Sequence, residues 1–319
     1  MKSIITKILG VITLLISFYF IFENIDVSFF EKIKVIRSIK ILLFSFISIF
    51  FVMMCILIES INFRNIIYKI SYIKIPIFNI YSISSKSNIS KYIPGNISQY
   101  LIRNVLIKKF NISHNKIVYS SLLETFFTVF ISFFWTNIFI IIGFLKLPEF
   151  FLFDILKFKN GFFLIIFLIV LISLMIFFKK KIIRLIKSFD FYKNVKIIFQ
   201  TFSFSFIVFS ITNILFAFSF LFGYIILFGI NLSLNDVLYI FSVVTSAGLI
   251  GMITPGLPAG IGVREGVLLL FLGPQFGNEI TIIIAFIHRL ICIASDILTL
   301  IFSFLISKFF IKNKLKSNI

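Results

Sequence analysis

The chain has 319 residues, of which 60% are hydrophobic and only 13% are charged. Soluble domains are closer to half apolar and a quarter charged, so this composition excludes a soluble globular protein and predicts a polytopic membrane protein. The formal net charge of +19 is typical of cytoplasmic loops beside anionic lipid headgroups once the chain is in a membrane. We therefore expect these basic loops to bind anionic lipid headgroups and not nucleic acid.

Seven apolar stretches are long enough to cross a bilayer, which takes about 17–25 residues. In chain order they are Ile4–Phe22, Ile41–Ile58, Ile117–Phe144, Phe162–Phe178, Ile198–Ile230, Leu238–Ile253 and Ile280–Ile306. No small-x-small cleavage site follows the first stretch, so we interpret it as a retained span. Val263–Leu272 is too short for a full crossing and is typical of the second half of a broken span. The prediction is an all-α transmembrane helix bundle, with residues 1–319 forming one membrane domain.

The basic residues predict the orientation of the chain. Residues 61–116 carry nine basic residues and no acid, residues 179–197 carry seven and one, and the tail after Ile306 carries four and none. The positive-inside rule places these segments and both termini in the cytoplasm, for a protein of the plasma (inner) membrane. To finish at the basic tail, the chain must return outward between Gly256 and Glu279, which gives about eight crossings.

The segment Thr254–Gly266 breaks the apolar pattern. A continuous helix cannot pass through Pro255, Gly256 and Pro258, because proline removes a backbone donor and clashes with the preceding turn. In lipid such a break survives only where protein or a water-filled cavity covers the freed backbone groups. Arg264 and Glu265 follow the break, so this segment is the first candidate site.

A second segment in the basic region 61–116 resembles the first. Pro94-Gly95 precedes Arg103 by nine positions, the same interval that separates Pro255-Gly256 from Arg264. Transporters place paired broken helices in two structural repeats around a site at mid-membrane, although a single match can also arise by chance. The spacing therefore indicates a second broken or re-entrant helix near Pro94-Gly95, and an internal repeat of roughly 1–160 and 161–319.

Each candidate residue has a functional and a structural interpretation. Arg264 could hold a lipid phosphate, with Glu265 fixing the arginine or carrying a proton, or the two could form a structural ion pair. Gly260 and Gly262 could present backbone N–H groups to an anion or could allow close packing. Arg103 could be a second phosphate contact or one more cytoplasmic charge.

Polar residues within the predicted spans need partners, because an unpaired charge in the membrane is costly. For Glu124 we expect an interhelical partner such as Arg264 or Arg289. Arg289 and Asp296 are seven residues apart, too far to pair directly, so each must find another partner. Glu59 is interpreted as a membrane-boundary or core residue. Because the chain has only two histidines, His114 and His288, we predict no metal site and no cofactor.

These motifs resemble those of a known family, the flippase-like transmembrane region of lysylphosphatidylglycerol synthases. The matching residues are Tyr92, Pro94, Gly95, Arg103, Glu124, Pro255, Gly256, Gly260, Gly262, Arg264, Glu265 and Arg289. The resemblance implies a membrane domain that handles lipids and, in the two-part synthases, moves aminoacylated lipid between leaflets. The aminoacyl-transfer domain of those proteins does not follow the last span, so we expect no lysyl transfer by this chain. Leu257-Pro258-Ala259 departs from the more glycine-rich stretch that is common in the family.

Together these observations predict a translocase, not an enzyme, that moves a phospholipid or a polyprenyl-linked glycolipid in cell-envelope biogenesis. Its membrane lipid or lipid-linked saccharide would come from an envelope-lipid synthase or a glycosyltransferase. One alternative is a membrane-embedded transferase that acts on a polyprenyl phosphate or another lipid. That reaction needs a general base or metal-binding carboxylates, and the chain has no Asp-x-Asp pair. The other is a non-transporting membrane partner of an envelope enzyme.

Overall fold

The computed structural model describes residues 36, 38–92, 98–144, 191–254 and 258–316, with the backbone alone at 191–195, 258 and 307–316. Within these ranges the chain forms eight α-helices and no strand, as the sequence predicts. They are α1 (Ser38–Ser71), α2 (Ile77–Ile89), α3 (Ser98–Ile107), α4 (His114–Ile142), α5 (Phe191–Phe228), α6 (Leu234–Ile253), α7 (Val263–Phe276) and α8 (Asn278–Lys316). Single 3₁₀ turns lie at Ser90–Tyr92, Lys108–Phe110 and Pro258–Gly260.

Five of these helices, α1, α4, α5, α6 and α8, are long and apolar enough to cross a membrane. They correspond to five of the seven predicted spans, which confirms an all-α polytopic bundle. The other two predicted spans, Ile4–Phe22 and Phe162–Phe178, lie outside the described residues. Many large apolar side chains on the five helices are exposed, among them Leu42, Phe46, Phe286 and Leu305. Such a surface is stable only against lipid.

Helices α1 and α5 pack against each other along most of their lengths and form the centre of the bundle. They run antiparallel, because residues later in α1 contact residues earlier in α5. Ser48 Oγ donates to the Ser219 carbonyl (2.7 Å), the Cys55 thiol to the Thr212 carbonyl (3.5 Å), and Ser205 Oγ to the Asn62 side chain (3.0 Å). Small residues and short polar contacts of this kind are typical of close packing between helices in membranes.

Helix α1 continues to Ser71, well beyond the predicted end of its span at Ile58. The hydropathy pattern ends there because Ser60, Asn62 and Arg64 are polar. Inside the bundle these groups form hydrogen bonds: Asn62 Oδ1 accepts from Ser205, and Arg64 Nε donates to the Ile75 carbonyl (2.8 Å), whereas Asn62 Nδ2 has no partner among the described residues. The polar end is therefore buried helix and not the start of a loop.

Much of the segment 61–116 is helical. Ile75 and Ile80 are fully buried, so the apolar stretch around them lies within the bundle. Helices α2 and α3 pack against each other as a hairpin, whose turn includes Ser90–Tyr92. In α3 the apolar Leu101 and Val105 are exposed while Arg103 is buried, because the outside of this helix faces lipid.

Helices α6 and α7 form a second hairpin. Helix α6 ends at Ile253, and after the 3₁₀ turn Pro258–Gly260 helix α7 begins at Val263. The helix therefore is interrupted in the predicted segment, although Pro255 and Gly256 themselves, like Pro94 and Gly95, lie outside the described residues. The turns of the two hairpins, Ser90–Tyr92 and Pro258–Gly260, contact each other. The two segments singled out by their Pro-Gly spacing thus meet in the fold.

Candidate functional site

A cavity of about 500 Å³ lies where the two hairpin turns meet. Helices α1, α4, α5 and α8 form its remaining walls. Its polar and charged lining residues are Glu59, Asn88, Lys91, Tyr92, Gln99, Tyr100, Thr125, Arg264, Arg289 and Asp296. Ligand pockets have volumes of roughly 300–1,000 Å³, so the cavity is large enough for a lipid headgroup.

Arg264 is the main cation of this cavity. It lies in the first turn of α7 and is only 9% exposed. Its guanidinium carbon lies 4.4 Å from the ring centroid of Phe216, a cation–π contact, and Nη2 lies 3.4 Å from His288 Nδ1. Among the described residues no carboxylate lies within 4 Å of it, and Nε has no hydrogen-bond partner there. A buried cation in this state has unused capacity to bind an anion.

The contacts of His288 orient its imidazole between Ser219 and Arg264. Ser219 Oγ donates to the Phe216 carbonyl (2.6 Å), so it can only accept from His288 Nε2, which lies 2.7 Å away. With the proton on Nε2, Nδ1 carries the lone pair and accepts from Arg264 Nη2. His288, which is 1% exposed, therefore orients the guanidinium without neutralising its charge.

Glu265 does not pair with its neighbour Arg264 in this fold. Its Oε2 accepts from the backbone N–H of Gly262 (2.8 Å) and so caps the N-terminus of α7. Its Oε1 lies 3.7 Å from Arg289 Nη1. Both terminal nitrogens of Arg289 also donate to the Ala259 carbonyl (3.1 Å each), which fixes the turn of the second hairpin to α8. Glu265 and Arg289 therefore stabilise the interruption between α6 and α7, and neither of them pairs with Arg264.

Gly260 and Gly262 are both required by the backbone. Gly260 has φ = +68° and Gly262 has φ = +85°, in the region that side chains disfavour. The N–H of Gly262 is taken by Glu265. A Cβ on Gly260 would lie 2.8 Å from the backbone oxygen of Gly251, so the turn packs directly on α6. This geometry favours the packing interpretation for Gly260.

We expect Gly260→Ala to destabilise the protein by about 2–4 kcal/mol, because it adds both a steric clash and a strained φ. The measurement is thermal unfolding of the purified protein in detergent. Gly266→Ala is the matched control, since a Cβ there meets nothing within 4 Å. An unfolding temperature of Gly260→Ala equal to that of the control would contradict the close approach of the turn to α6.

Arg103 and Glu124 form a buried ion pair between α3 and α4. Arg103 Nη1 donates to Glu124 Oε2, and its guanidinium carbon lies 4.4 Å from the Phe63 ring centroid. The expectation that Glu124 pairs with Arg264 or Arg289 is therefore wrong. Glu124 lies on α4, and α4 packs on α3, which carries Arg103. Arg264 lies on a different helix, α7, where it contacts Phe216 and His288.

Asp296 links α8 to the first hairpin. Its Oδ2 accepts from the Tyr92 hydroxyl (2.6 Å) and forms an ion pair with Lys91 Nζ (2.7 Å). Asp296 is 1% exposed, and Oδ1 has no hydrogen-bond partner among the described residues. The expectation that Asp296 and Arg289 find separate partners is confirmed.

Glu59 lines the same cavity from α1 and is half-buried. No cation of the described residues lies within ion-pair distance of it. The cavity thus has Lys91, Arg264 and Arg289 as cations and Glu59 and Asp296 as carboxylates. In the part of the chain that the structure describes, no three His, Cys, Asp or Glu side chains come together to hold a metal ion.

Residues 7–299 match the family described as the lysylphosphatidylglycerol synthase TM region. The chain belongs to this family. The match includes both hairpins and every residue of the cavity. A search of curated proteins finds no match. With its membrane-spanning helices, the family establishes a multi-pass integral membrane protein with a lipid-related function.

The family motif and the cavity overlap only in part. Arg264 and Arg289 of the motif line the cavity, whereas Glu265, Arg103 and Glu124 are engaged in contacts that hold helices together. Sequence reasoning did not assign Lys91, Asp296 or Glu59 to the site. A signal existed for Asp296, a carboxylate within a span that needs a partner. Lys91 gave no such signal, because it is one of nine basic residues in its segment.

Proposed function

We propose that this protein moves a phosphate-bearing lipid between membrane leaflets, and that the lipid phosphate binds at Arg264. The observation that carries the proposal is a buried guanidinium, free of carboxylates among the described residues, that faces a cavity between two interrupted helices. Charged groups inside a membrane are expensive to bury, and they mark the paths of ions and substrates.

The charges of the cavity suit a phosphate. Its three cations, Lys91, Arg264 and Arg289, outnumber its two carboxylates. Lys91 and Arg289 are engaged by Asp296 and Ala259, so the phosphate is expected at Arg264, since arginine binds phosphate through two parallel N–H donors. The polar side chains of Asn88, Gln99 and Tyr100 can bind the hydroxyl groups or amides of a headgroup. A cavity bounded by lipid-exposed helices also leaves the acyl or prenyl chains in contact with the membrane.

The proposal involves no chemical step. A transferase needs a carboxylate that is free to act as a base or to bind a metal ion. In the described chain Glu124 is held by Arg103, Asp296 by Lys91 and Tyr92, and Glu265 by Gly262 and Arg289. Glu59 lines the cavity without an ion-pair partner among the described residues, but it stands there without a second free carboxylate to share a metal ion. Product formed by the purified protein from an activated polyprenyl donor would support the transferase instead.

The surroundings of the protein follow from the same proposal. We place it in the plasma (inner) membrane with both termini in the cytoplasm, since the segments richest in lysine and arginine then face inward. Its lipid is a phospholipid or a polyprenyl-linked glycolipid. The partner would be the synthase or glycosyltransferase that produces this lipid.

The test is leaflet exchange by the purified protein in vesicles. Phospholipid and polyprenyl-phosphate glycolipid probes carry a fluorophore that a membrane-impermeant reagent quenches from outside. We expect the protein to make nearly all of one probe accessible, whereas protein-free vesicles leave the inner-leaflet half protected. Protection of half of both probes, in vesicles shown to contain folded protein, would contradict transport.

A further inference from the structure

We infer that residues 38–142 and 191–316 are two structural repeats with opposite orientations in the membrane. Each repeat contributes one re-entrant hairpin, and the hairpins enter from opposite sides so that their turns meet at the cavity. The spacing of the two Pro-Gly pairs indicates a duplication but gives neither its direction nor the position of the site. Both follow from the packing of the helices.

The order of elements is the same in the two halves. A long helix comes first (α1 with 34 residues, α5 with 38), and a shorter helix follows (α2, α6). After an interruption comes another short helix (α3 with 10 residues, α7 with 14), and a long helix ends each half (α4 with 29, α8 with 39).

The contacts between helices are also repeated. Within the first half α1 packs on α2 and α4, and within the second α5 packs on α6 and α8. The hairpin pairs α2–α3 and α6–α7 correspond, as do α3–α4 and α7–α8. Between the halves, α2 packs on α8 and α6 on α4, while α1 packs on α8 and α5 on α4. Exchanging the two halves leaves this set of contacts unchanged, as a two-fold relation requires.

The two arginines that follow the interruptions have matching surroundings. Arg103 of α3 stacks on Phe63 of α1, and Arg264 of α7 stacks on Phe216 of α5, both at 4.4 Å. The last helix of each half supplies a partner to the arginine, Glu124 in the first half and His288 in the second. Spacing in the sequence and position in the fold therefore identify the same pair of residues.

The direction of the repeats follows from α1 and α5. They are corresponding helices, and their contacts run antiparallel (Ser48–Ser219, Cys55–Thr212 and Asn62–Ser205). Corresponding helices that run antiparallel are related by a two-fold axis in the membrane plane, which is the arrangement of inverted-repeat transporters. The open ends of the two hairpins then lie on opposite sides of the membrane.

The charges agree with this arrangement. The open end of the first hairpin has Lys74, Lys108, Lys109 and Lys116 close to it. The open end of the second, around 229–236 and 273–280, carries Asp236 and Glu279 and no basic residue. The positive-inside rule places the first end in the cytoplasm and the second outside. Because α6 and α7 return the chain to the side it came from, α8 still ends in the cytoplasm. The proposed hairpin thus replaces two of the eight crossings predicted from the apolar pattern and satisfies the basic tail without them.

Helix lengths place the meeting point within the bilayer. At 1.5 Å per residue the arms of the first hairpin are about 15–20 Å long and those of the second about 21–30 Å. Their sum, roughly 36–50 Å, is close to the full thickness of a bilayer with its headgroups, about 40–45 Å. The turns therefore meet in the interior, and Arg264 lies far from both surfaces.

This architecture gives the site access to both leaflets, a consequence that rests on the proposed transport. A movement of one hairpin relative to the other half opens the cavity to one side. The equivalent movement of the other hairpin opens it to the opposite side. The architecture itself does not depend on transport, so the two can fail separately.

The first test is the sidedness of single cysteines. Ser113→Cys lies at the open end of the first hairpin and Asn231→Cys at that of the second, and both positions are exposed. The two native cysteines, Cys55 and Cys292, are buried, so the unmodified chain gives the background. In right-side-out and inverted vesicles, an impermeant maleimide should label position 231 only from outside and position 113 only from inside.

Labelling of both positions from the same side would overturn the inverted repeat. The reverse assignment, with position 113 outside, would support inversion but overturn the predicted orientation of the chain. Asn115→Cys and Asn235→Cys, also exposed, replace either variant if it does not fold.

The second test is the depth of the hairpin turn. A nitroxide at Thr254→Cys should lie within the hydrocarbon interior of the bilayer, more accessible to oxygen than to a polar nickel reagent. A depth at the cytoplasmic headgroups would overturn the re-entrant hairpin, since α6 and α7 would then each cross the membrane. The labelling and depth measurements test the inverted repeat, whereas leaflet exchange of the probes tests transport. Because the measurements are separate, a wrong repeat and an absence of transport give different results.

Discussion

Arg264→Gln is expected to reduce leaflet exchange by tenfold to a hundredfold while leaving the protein folded. A hydrogen bond from a charged group contributes about 1.5–3 kcal/mol, and 1.4 kcal/mol corresponds to a factor of ten. The folded state should not suffer, because removing a buried charge that has no carboxylate partner among the described residues removes a cost of burial. The measurement is the initial rate of probe exchange in vesicles.

Arg64→Gln is the control for this prediction. Arg64 is half-buried and donates to the Ile75 carbonyl, but it does not line the cavity. We expect exchange by Arg64→Gln to remain close to that of the unmodified protein. Arg264→Lys should retain part of the rate, since it keeps the charge but not the two parallel donors. Unchanged exchange by well-folded Arg264→Gln protein would contradict phosphate binding at Arg264.

Glu124→Gln is expected to lower the stability of the protein by about 3–5 kcal/mol. The substitution leaves Arg103 buried against Phe63 without its carboxylate, and breaking a buried ion pair has a cost of this size. By contrast, the double variant Arg103→Met/Glu124→Leu should recover most of the loss, because replacing both charges by apolar groups is often neutral or stabilising.

The measurement is a double-mutant cycle of unfolding in detergent, with both single variants and the double variant. Arg103→Met alone should also be destabilising, since it leaves Glu124 buried without its arginine. A pure binding role for Arg103 predicts the opposite pattern, in which the single variants unfold at the normal temperature and only exchange is lost.

Much of the fold could be predicted from the sequence, because hydrophobic length is a direct requirement of the bilayer. All five long apolar helices of the described chain were predicted, with ends displaced by up to 13 residues, more than three turns. The largest displacement is at α1, where Ser60, Asn62 and Arg64 end the apolar pattern although the helix continues to Ser71. Hydropathy measures the transfer of a side chain into lipid, whereas these side chains lie against protein and form hydrogen bonds with it.

The site could be predicted less completely. The two Pro-Gly segments and Arg264 were found, because proline, glycine and charge are anomalies in an apolar run. The partners were not: Glu124 pairs with Arg103, and Glu265 caps α7 and contacts Arg289. Pairing depends on which helices are neighbours, and Lys91 and Asp296 are separated by about 200 residues in the chain. A single sequence carries no signal for such a contact.

The most direct test of the account is photo-crosslinking with a phospholipid or polyprenyl-phosphate probe that carries a diazirine next to its phosphate. We predict crosslinks to buried residues of the cavity such as Val52 and Cys292, and their loss in Arg264→Gln. Crosslinks confined to lipid-facing side chains such as Leu101 and Phe286, with a yield that Arg264→Gln leaves unchanged, would contradict a lipid phosphate site at Arg264.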